Sequence, residues 1–364
     1  MAAIQSQLQQ LYVTYFNRPA DKEGLAYWTA ALDKGSTVAS IAADFAKSPE
    51  YQALYEGKSN VDLIKAVYQN LFGRVAEASG AEYWAGVMKQ GYSAHATVGL
   101  ILAAASETDK RVVDNKTEAA AAFTAALDTA TESTAYTRTP AKASASAWLN
   151  GVTTDASLAQ AKAGIDKAVS AAVGATAQAM AATTQQLQQL YVTYFNRPAD
   201  TDGLAFWTGY VESGTSVASI AADFAKSPEY KALYEGKSNT DLIKAVYLNL
   251  FGREAEPSGA EYWAGVMKQG YSAHETVGMI LAAASATDSR VVANKVDAAT
   301  AFTTALDTAA ESTAYTLATA KAAASAWLKG ITTDASLAAA KAGVDKAVSA
   351  VVNATAQRGT LADG

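Results

Sequence analysis

The chain repeats itself. Leu11-Tyr-Val-Thr-Tyr-Phe-Asn-Arg-Pro-Ala-Asp21 returns as Leu190 to Asp200, 179 positions on. The same offset carries Trp28 to Trp207, Pro49 to Pro228, Trp84 to Trp263, His95 to His274, Trp148 to Trp327 and Asp155 to Asp334, with no insertion or deletion between the copies. Whatever architecture one copy adopts, the other adopts too. So strict a register marks a recent duplication, and identity between the copies therefore says nothing about which residues function. Inside each copy an older echo runs at an offset of 56: Tyr12, Phe16, Arg18, Gly24, Tyr27 and Trp28 return as Tyr68, Phe72, Arg74, Gly80, Tyr83 and Trp84. The second copy repeats this pattern from Tyr191 to Trp207 and from Tyr247 to Trp263, with Phe206 standing where the first has Tyr27. Each copy thus holds two motif-bearing units and then an Ala-rich tail.

Helix signals fill the first unit. Leu8, Leu11, Tyr12, Tyr15 and Phe16 recur at helical spacing, and Pro19 blocks continuation. Asp21 is placed to cap the next helix, which carries Leu25, Trp28 and Leu32 and stops at Gly35. Ser36 then caps a helix with Val38, Ile41, Ala42 and Phe45, and Ser48-Pro49-Glu50 supplies cap, first helical residue and first-turn acid of another. Ser59 with Asp62 resembles a capping box opening Leu63 to Phe72. The tail, from about Glu107, reads as two or three long amphipathic helices, and Gly174 to Thr184 holds nothing to stop a helix from running into the second copy. No stretch alternates β-branched and aromatic residues with polar ones as a strand would. The expected fold is all-α: tandem duplicated multi-helix bundles in an elongated helical array without β-sheet. Its modules cover 1–179 (motif units 8–106, tail 107–179) and 180–357 (motif units 187–285, tail 286–357), with a flexible end at 358–364.

Composition removes several functions. With 364 residues the chain can bury sizeable cores without staples, and with no cysteine it has no disulfide, thiolate chemistry or cysteine zinc site. The net charge is −6, and the basic residues are scattered, so no stripe offers itself to nucleic acid. The longest apolar stretch, Val98 to Ala105, falls far short of the roughly 18 residues a membrane span needs. Met1-Ala-Ala-Ile-Gln-Ser-Gln-Leu8 has neither a basic start nor an apolar run, so no classical leader is read there.

The pattern Leu11-Tyr12-x-x-Tyr15-Phe16-x-Arg18-Pro19-x-Asp21-x-x-Gly24-Leu25-x-Tyr27-Trp28 resembles the hallmark of the bacterial family called domain of unknown function 4214, over about Leu8 to Ser106 and Leu187 to Ser285 in two tandem copies. The resemblance implies helical modules like the linker domains of phycobilisomes, common in large secreted proteins with calcium-binding glycine-rich repeats. Related modules of surface-layer proteins attach their lattice to lipopolysaccharide and leave by type I secretion, a route to which the absent leader corresponds. The chain itself carries no Gly-Gly-x-Gly-x-Asp repeat.

Several residues invite a functional reading, each with a structural alternative. Arg18, Asp21 and Gly24, with Arg74 and Gly80, and Arg197, Asp200, Gly203, Arg253 and Gly259 in the second copy, place a guanidinium beside an acid as a sugar or anion site would. Because the loop recurs four times, with Glu77 replacing the acid, the structural reading is favoured: a cap, an ion pair and a close-packed glycine. Trp28, Trp84 and Trp148 at helical spacing are read as core, their indole N–H groups bonded to carbonyls. Better saccharide candidates stand where aromatics meet loops and can face solvent: Tyr51, Tyr55, Lys58 and Tyr92, with Tyr230, Tyr234, Lys237 and Tyr271 in the second copy, the structural alternative being tyrosines that only pack at a helix end. His95 and His274 have no ligand-spaced companions, so no metal site is expected. No nucleophile elbow, phosphate loop or fixed carboxylate pair appears.

The expected function is therefore non-enzymatic. It is that of a cell-surface structural protein of surface-layer type, binding envelope polysaccharide or lipopolysaccharide and its own copies, and exported by a leaderless route. No cofactor is expected, with calcium left open for an assembled or longer context. The alternative is an intracellular protein–protein scaffold similar to a phycobilisome linker.

Overall fold

Twenty-three helices and no strand make up residues 2–359 of the computed structural model, which describes side chains from 3 to 353. The all-α class read from periodicity holds. The chain divides into two compact units, Met1–Ala179 and Met180–Gly364. The helix Ile165–Phe195 runs unbroken through Gly174 to Thr184, where no residue stops it. Of the segment 358–364 read as a flexible end, residues 358 and 359 close the last helix and the remainder lies outside the described residues.

The first unit begins with α1 (Ala2–Phe16), α2 (Lys22–Asp33), α3 (Val38–Phe45), α4 (Pro49–Tyr55), α5 (Asn60–Phe72), α6 (Ala78–Lys89) and α7 (Ala94–Ala103). Local chemistry sets nearly every start. Asp21 accepts from the Gly24 N–H, and Ser48 from that of Tyr51 with Pro49 at the first position. The cap of α3 is Thr37, paired reciprocally with Ser40, and not Ser36; two adjacent hydroxyls left the sequence one residue ambiguous. At α5 the Asp62 carboxylate accepts from the Ser59 hydroxyl rather than from its backbone N–H, so the shorter acid makes a looser version of the box. The helix ends on Gly73 in the left-handed region (φ 64°), where a Cβ would meet the Thr153 methyl at 2.6 Å.

The tail is shorter-jointed than its periodicity predicts. In place of two or three long helices it folds as α8 (Glu107–Ala126), α9 (Ala130–Tyr136), α10 (Thr139–Asn150), α11 (Asp155–Ala163) and α12 (Ile165–Phe195). Reciprocal caps at Thr129 with Glu132 and at Thr154 with Ser157, Pro140 in the first turn of α10, and Gly151 and Gly164 after helix ends divide it. The tail belongs to the core. On α8, Ala119 and Ala120 are wholly buried with Val13 of α1 and Leu149 and Val152, small side chains allowing the close approach. Farther along, Phe123 packs with Tyr136, Ala141, Ala145 and Val169. The motif half has its own cluster around Phe45, whose ring lies 4.6 Å from Phe16, 4.9 Å from Tyr12 and 5.4 Å from Trp28.

The second unit repeats the plan after α12 with α13 (Thr201–Glu212), α14 (Val217–Lys226), α15 (Pro228–Tyr234), α16 (Asn239–Phe251), α17 (Pro257–Lys268) and α18 (Ala273–Ala282). Its tail is α19 (Ala286–Thr304), α20 (Ala309–Tyr315), α21 (Ala318–Lys329), α22 (Asp334–Ala342) and α23 (Val344–Gly359).

Candidate functional site

The first motif corner is closed on itself. Asn17 ends α1 in the left-handed region (φ 52°), and its amide donates to Ser146 Oγ and Asn150 Oδ1. Arg18, 3% exposed, lies with its guanidinium carbon 5.0 Å from the Tyr12 ring centroid and 5.5 Å from that of Phe16. It donates through Nε and Nη2 to the two oxygens of Glu50, the latter at 2.8 Å, and through Nη1 to the Pro19 carbonyl. Tyr136, from the tail, donates to that same carbonyl at 2.8 Å. Burial alone would push the Glu50 carboxyl up, but Arg18, with Lys142, holds it below the usual carboxylate range. A Cβ on Gly24 would run into the Tyr12 hydroxyl, so the glycine does permit close packing there. In the second unit Arg197, Glu229, Pro198, Asp200, Gly203 and Tyr315 do the same. Every nitrogen of the Arg18 guanidinium thus has an acceptor inside the fold.

Two further residues complete the corner unannounced by the motif. Gln9 accepts from the Ala20 N–H at 3.1 Å and donates to Thr124 Oγ1, which in turn donates to the Ala20 carbonyl. Both backbone groups of a buried residue are thereby satisfied. A long open groove of about 680 Å³ runs along α1, α2 and α8, but Gln9 and Thr124 in its wall are already paired in this way.

The second corner is looser. Arg74 makes a two-pronged pair with Asp109 (2.9 and 2.7 Å), yet its side chain is 44% exposed. Arg253 and Asp288 repeat it. The Arg74 hydrogen bonds, against some burial, keep the Asp109 carboxyl below its ordinary range. Glu77 precedes α6 without a capping bond, and Gly80 and Gly259 face open space, so here neither acid nor glycine has the role of its counterpart.

The saccharide candidates separate. Tyr51 and Tyr55 are 6% and 5% exposed and lie ring against ring at 4.7 Å, with Tyr55 accepting from Asn70. Tyr230 and Tyr234 repeat this at the same separation. They offer no face to a sugar, which corrects the reading that placed them toward solvent. In a seven-residue helix, positions one turn apart share a side, and that side of α4 turns to Tyr15 on α1. Burial pushes the Tyr51 and Tyr55 phenols up. Lys58 and Lys237 are exposed without a salt bridge among the described residues. His95 pairs with Ser93 Oγ at 2.9 Å, and among the described residues no three His, Cys, Asp or Glu side chains are grouped to hold a metal.

Tyr92 and Tyr271 do reach solvent, and they have company. In the second unit Tyr271 (49% exposed) lines a shallow groove of about 450 Å³ with Tyr262 (64%), Trp263, Val266, Gln269 and Met279. The corresponding residues of the first unit are Tyr83, Trp84, Val87, Gln90, Tyr92 and Leu100, with Tyr83 65% exposed. Trp263 and Trp84 are half-buried, as core-packed tryptophans would be, but their indole N–H groups donate to the hydroxyls of Tyr247 and Tyr68 at 3.1 Å and not to carbonyls. Sequence reasoning had Trp84 and Tyr92 in hand and missed Tyr83, because an aromatic next to Trp in a helix reads as core.

These features define a class: a tandem array of small helical units whose motif arginines hold corners and whose second unit leaves an aromatic shelf outside. The model of the family described as Domain of unknown function (DUF4214) matches residues 6–55, 42–112, 170–234 and 221–287, more than half of the chain, and the chain belongs to this family. The matches number four, the third beginning before the second unit does, where the resemblance was counted as two copies. No curated protein and no solved structure matches the chain.

Proposed function

We propose that this protein is a non-enzymatic attachment module of the cell surface, structural in role, that binds envelope polysaccharide. The observation that carries this reading is the exposed Tyr83–Trp84–Tyr92 shelf and its repeat at Tyr262, Trp263 and Tyr271. Large aromatics left in water mark binding surfaces. An aromatic face, negative at its centre, matches the slightly positive C–H face of a pyranose. The lowered acids support the non-enzymatic part: Glu50, Asp109 and Asp155 are each held low by an arginine in a pair, not poised in a cleft for proton transfer. Two shelves on one chain gain avidity on a repeating polymer, since the second contact forms at high effective concentration.

Mixing the purified protein with smooth cells and with cells lacking O-antigen, then pelleting, tests this. The reading expects retention on smooth cells and loss on the deficient ones. Equal recovery in both supernatants removes it. Fractionation separates it from the scaffold alternative, which requires the protein in the cytosol.

A further inference from the structure

The two diverged units inside each copy agree on a feature that packing does not require. Tyr12, Phe16 and Phe72 are buried, whereas Tyr27 and Tyr83, at matching motif positions, stand 67% and 65% in solvent. Each sets its ring nearly at right angles to the following tryptophan, with centroids 4.8 and 5.0 Å apart. Where the second copy has Phe206 the ring and its exposure persist without the hydroxyl. In the first copy only the second motif unit adds another tyrosine beside the pair, Ser36 standing where Tyr92 would fall in the first motif unit. In the second copy Thr215 stands where Tyr271 would fall, and Tyr210, 45% exposed, lies instead 4.9 Å from Phe206 and 5.5 Å from Trp207.

The groove at Tyr262 fits one kind of occupant. Its volume lies in the range of small-ligand sites, about 300–1,000 Å³, whereas a stable protein interface needs roughly 20–30 residues a side and eight line this groove. Its lining carries no charged side chain, which excludes selection for an acidic sugar or a phosphate. Polar capacity comes from the Gln269 amide and the Tyr262 and Tyr271 hydroxyls, none of which makes a hydrogen bond among the described residues. The indole N–H is already taken by Tyr247, so Trp263 offers a face and not a donor. Two aromatic planes at 76° form a corner against which a ring can stack and turn its hydroxyls outward.

We propose that this groove, and its counterpart at Tyr83, Trp84 and Tyr92, each bind an uncharged pyranose unit of a polysaccharide. The proposal rests on the attachment reading above and gives it a place and a ligand chemistry. Affinity electrophoresis of the full chain through gels containing mannan, dextran, arabinogalactan or polygalacturonate tests it, with Tyr83→Ala/Tyr262→Ala and, as a control, Tyr27→Ala. The expected result is retardation of the wild type by at least one of the three neutral polymers and not by polygalacturonate, with affinity about tenfold weaker or worse in the double variant, about 1.4 kcal/mol. The control should migrate like the wild type, and the double variant should keep its melting temperature. Retardation by polygalacturonate alone or by no neutral polymer, or a double variant that binds as the wild type does, overturns the proposal. So does a double variant whose only change is loss of self-association in sedimentation, which would make the groove a protein contact. Smooth-cell retention that survives in the double variant removes the groove and leaves attachment standing, whereas a wild type that never binds cells removes attachment itself.

Discussion

Replacing Arg18 and Arg197 together by alanine is expected to lower stability by about 3–5 kcal/mol in each unit, the cost of breaking a buried ion pair from one side. Arg18 and Arg197 are each 3% exposed, and their removal leaves the Glu50 and Glu229 carboxylates with only Lys142 and Lys321 beside them and takes a donor from the Pro19 and Pro198 carbonyls. The stacking on Tyr12 and Phe16 goes with it. Arg74→Ala/Arg253→Ala supplies the contrast. That pair has equally good two-pronged geometry, but its arginine side chains are 44% and 46% exposed, and the buried Asp109 and Asp288 keep a second hydrogen-bonding partner in Ser106 and Ser285, so the loss should be the smaller of the two. Urea unfolding of the full chain, followed by circular dichroism, should move far for the first variant and less for the second. Equal shifts would mean that the two corners are not the different devices their burial makes them.

Stability should also rise with pH between about 8 and 10. Lys116 and Lys295 are fully buried, each donating to one carbonyl, Asn70 or Asn249, near the end of a helix, with no carboxylate paired to them among the described residues. A helix end favours the cation, but burial outweighs it and pushes both amines down to about 8 from 10.5, with Lys329 adding repulsion at Lys295. Below pH 8 the folded chain therefore carries charges that the unfolded chain would hold more easily. As pH climbs from 8 toward 10.5 the unfolded state binds more protons than the folded one, and stability increases by up to roughly 3 kcal/mol per lysine. The tyrosines act in the opposite sense. Burial holds the Tyr12, Tyr51 and Tyr136 phenols above their ordinary value of 10, so their contribution is intact below pH 10 and lost as pH rises beyond it. A maximum near pH 10 follows. In Lys116→Met/Lys295→Met the rise between 8 and 10 should vanish, and a wild type whose stability is flat or falling over that interval would contradict the assignment.

What could be read beforehand was local. The Ser48-Pro49-Glu50 start depends on neighbours in the chain and stands as expected, and so do Asp21 as cap and Gly24 as a packing position. The second role of Glu50, 32 residues from its arginine, was invisible because no periodicity encodes a partner across the fold. The same holds for Tyr136 on the Pro19 carbonyl and for the Gln9–Thr124 clasp, which reach across more than a hundred residues. Tyr51 and Tyr55 were misplaced for a different reason. Their nearness to a loop is a fact of sequence, but the side a short helix turns inward is decided by what it packs on. The tail was read too long because alanine periodicity continues across caps and glycines that end helices. Tyr83 was passed over because its neighbour Trp84 satisfies the apolar pattern for both.

The motif's buried residues hold corners, while the outward aromatics of the second motif unit in each copy, at Tyr83, Trp84 and Tyr92 and at Tyr262, Trp263 and Tyr271, bind. Labelling the six tryptophans with fluorine and recording their resonances as smooth-cell polysaccharide is added tests this assignment most directly. Trp84 and Trp263, which carry the shelves, should shift with saturation, while Trp148 and Trp327, packed against Phe123 and Phe302, stay fixed. Shifts confined to Trp148 and Trp327, or none at any tryptophan while the protein remains bound to the polymer, would contradict it.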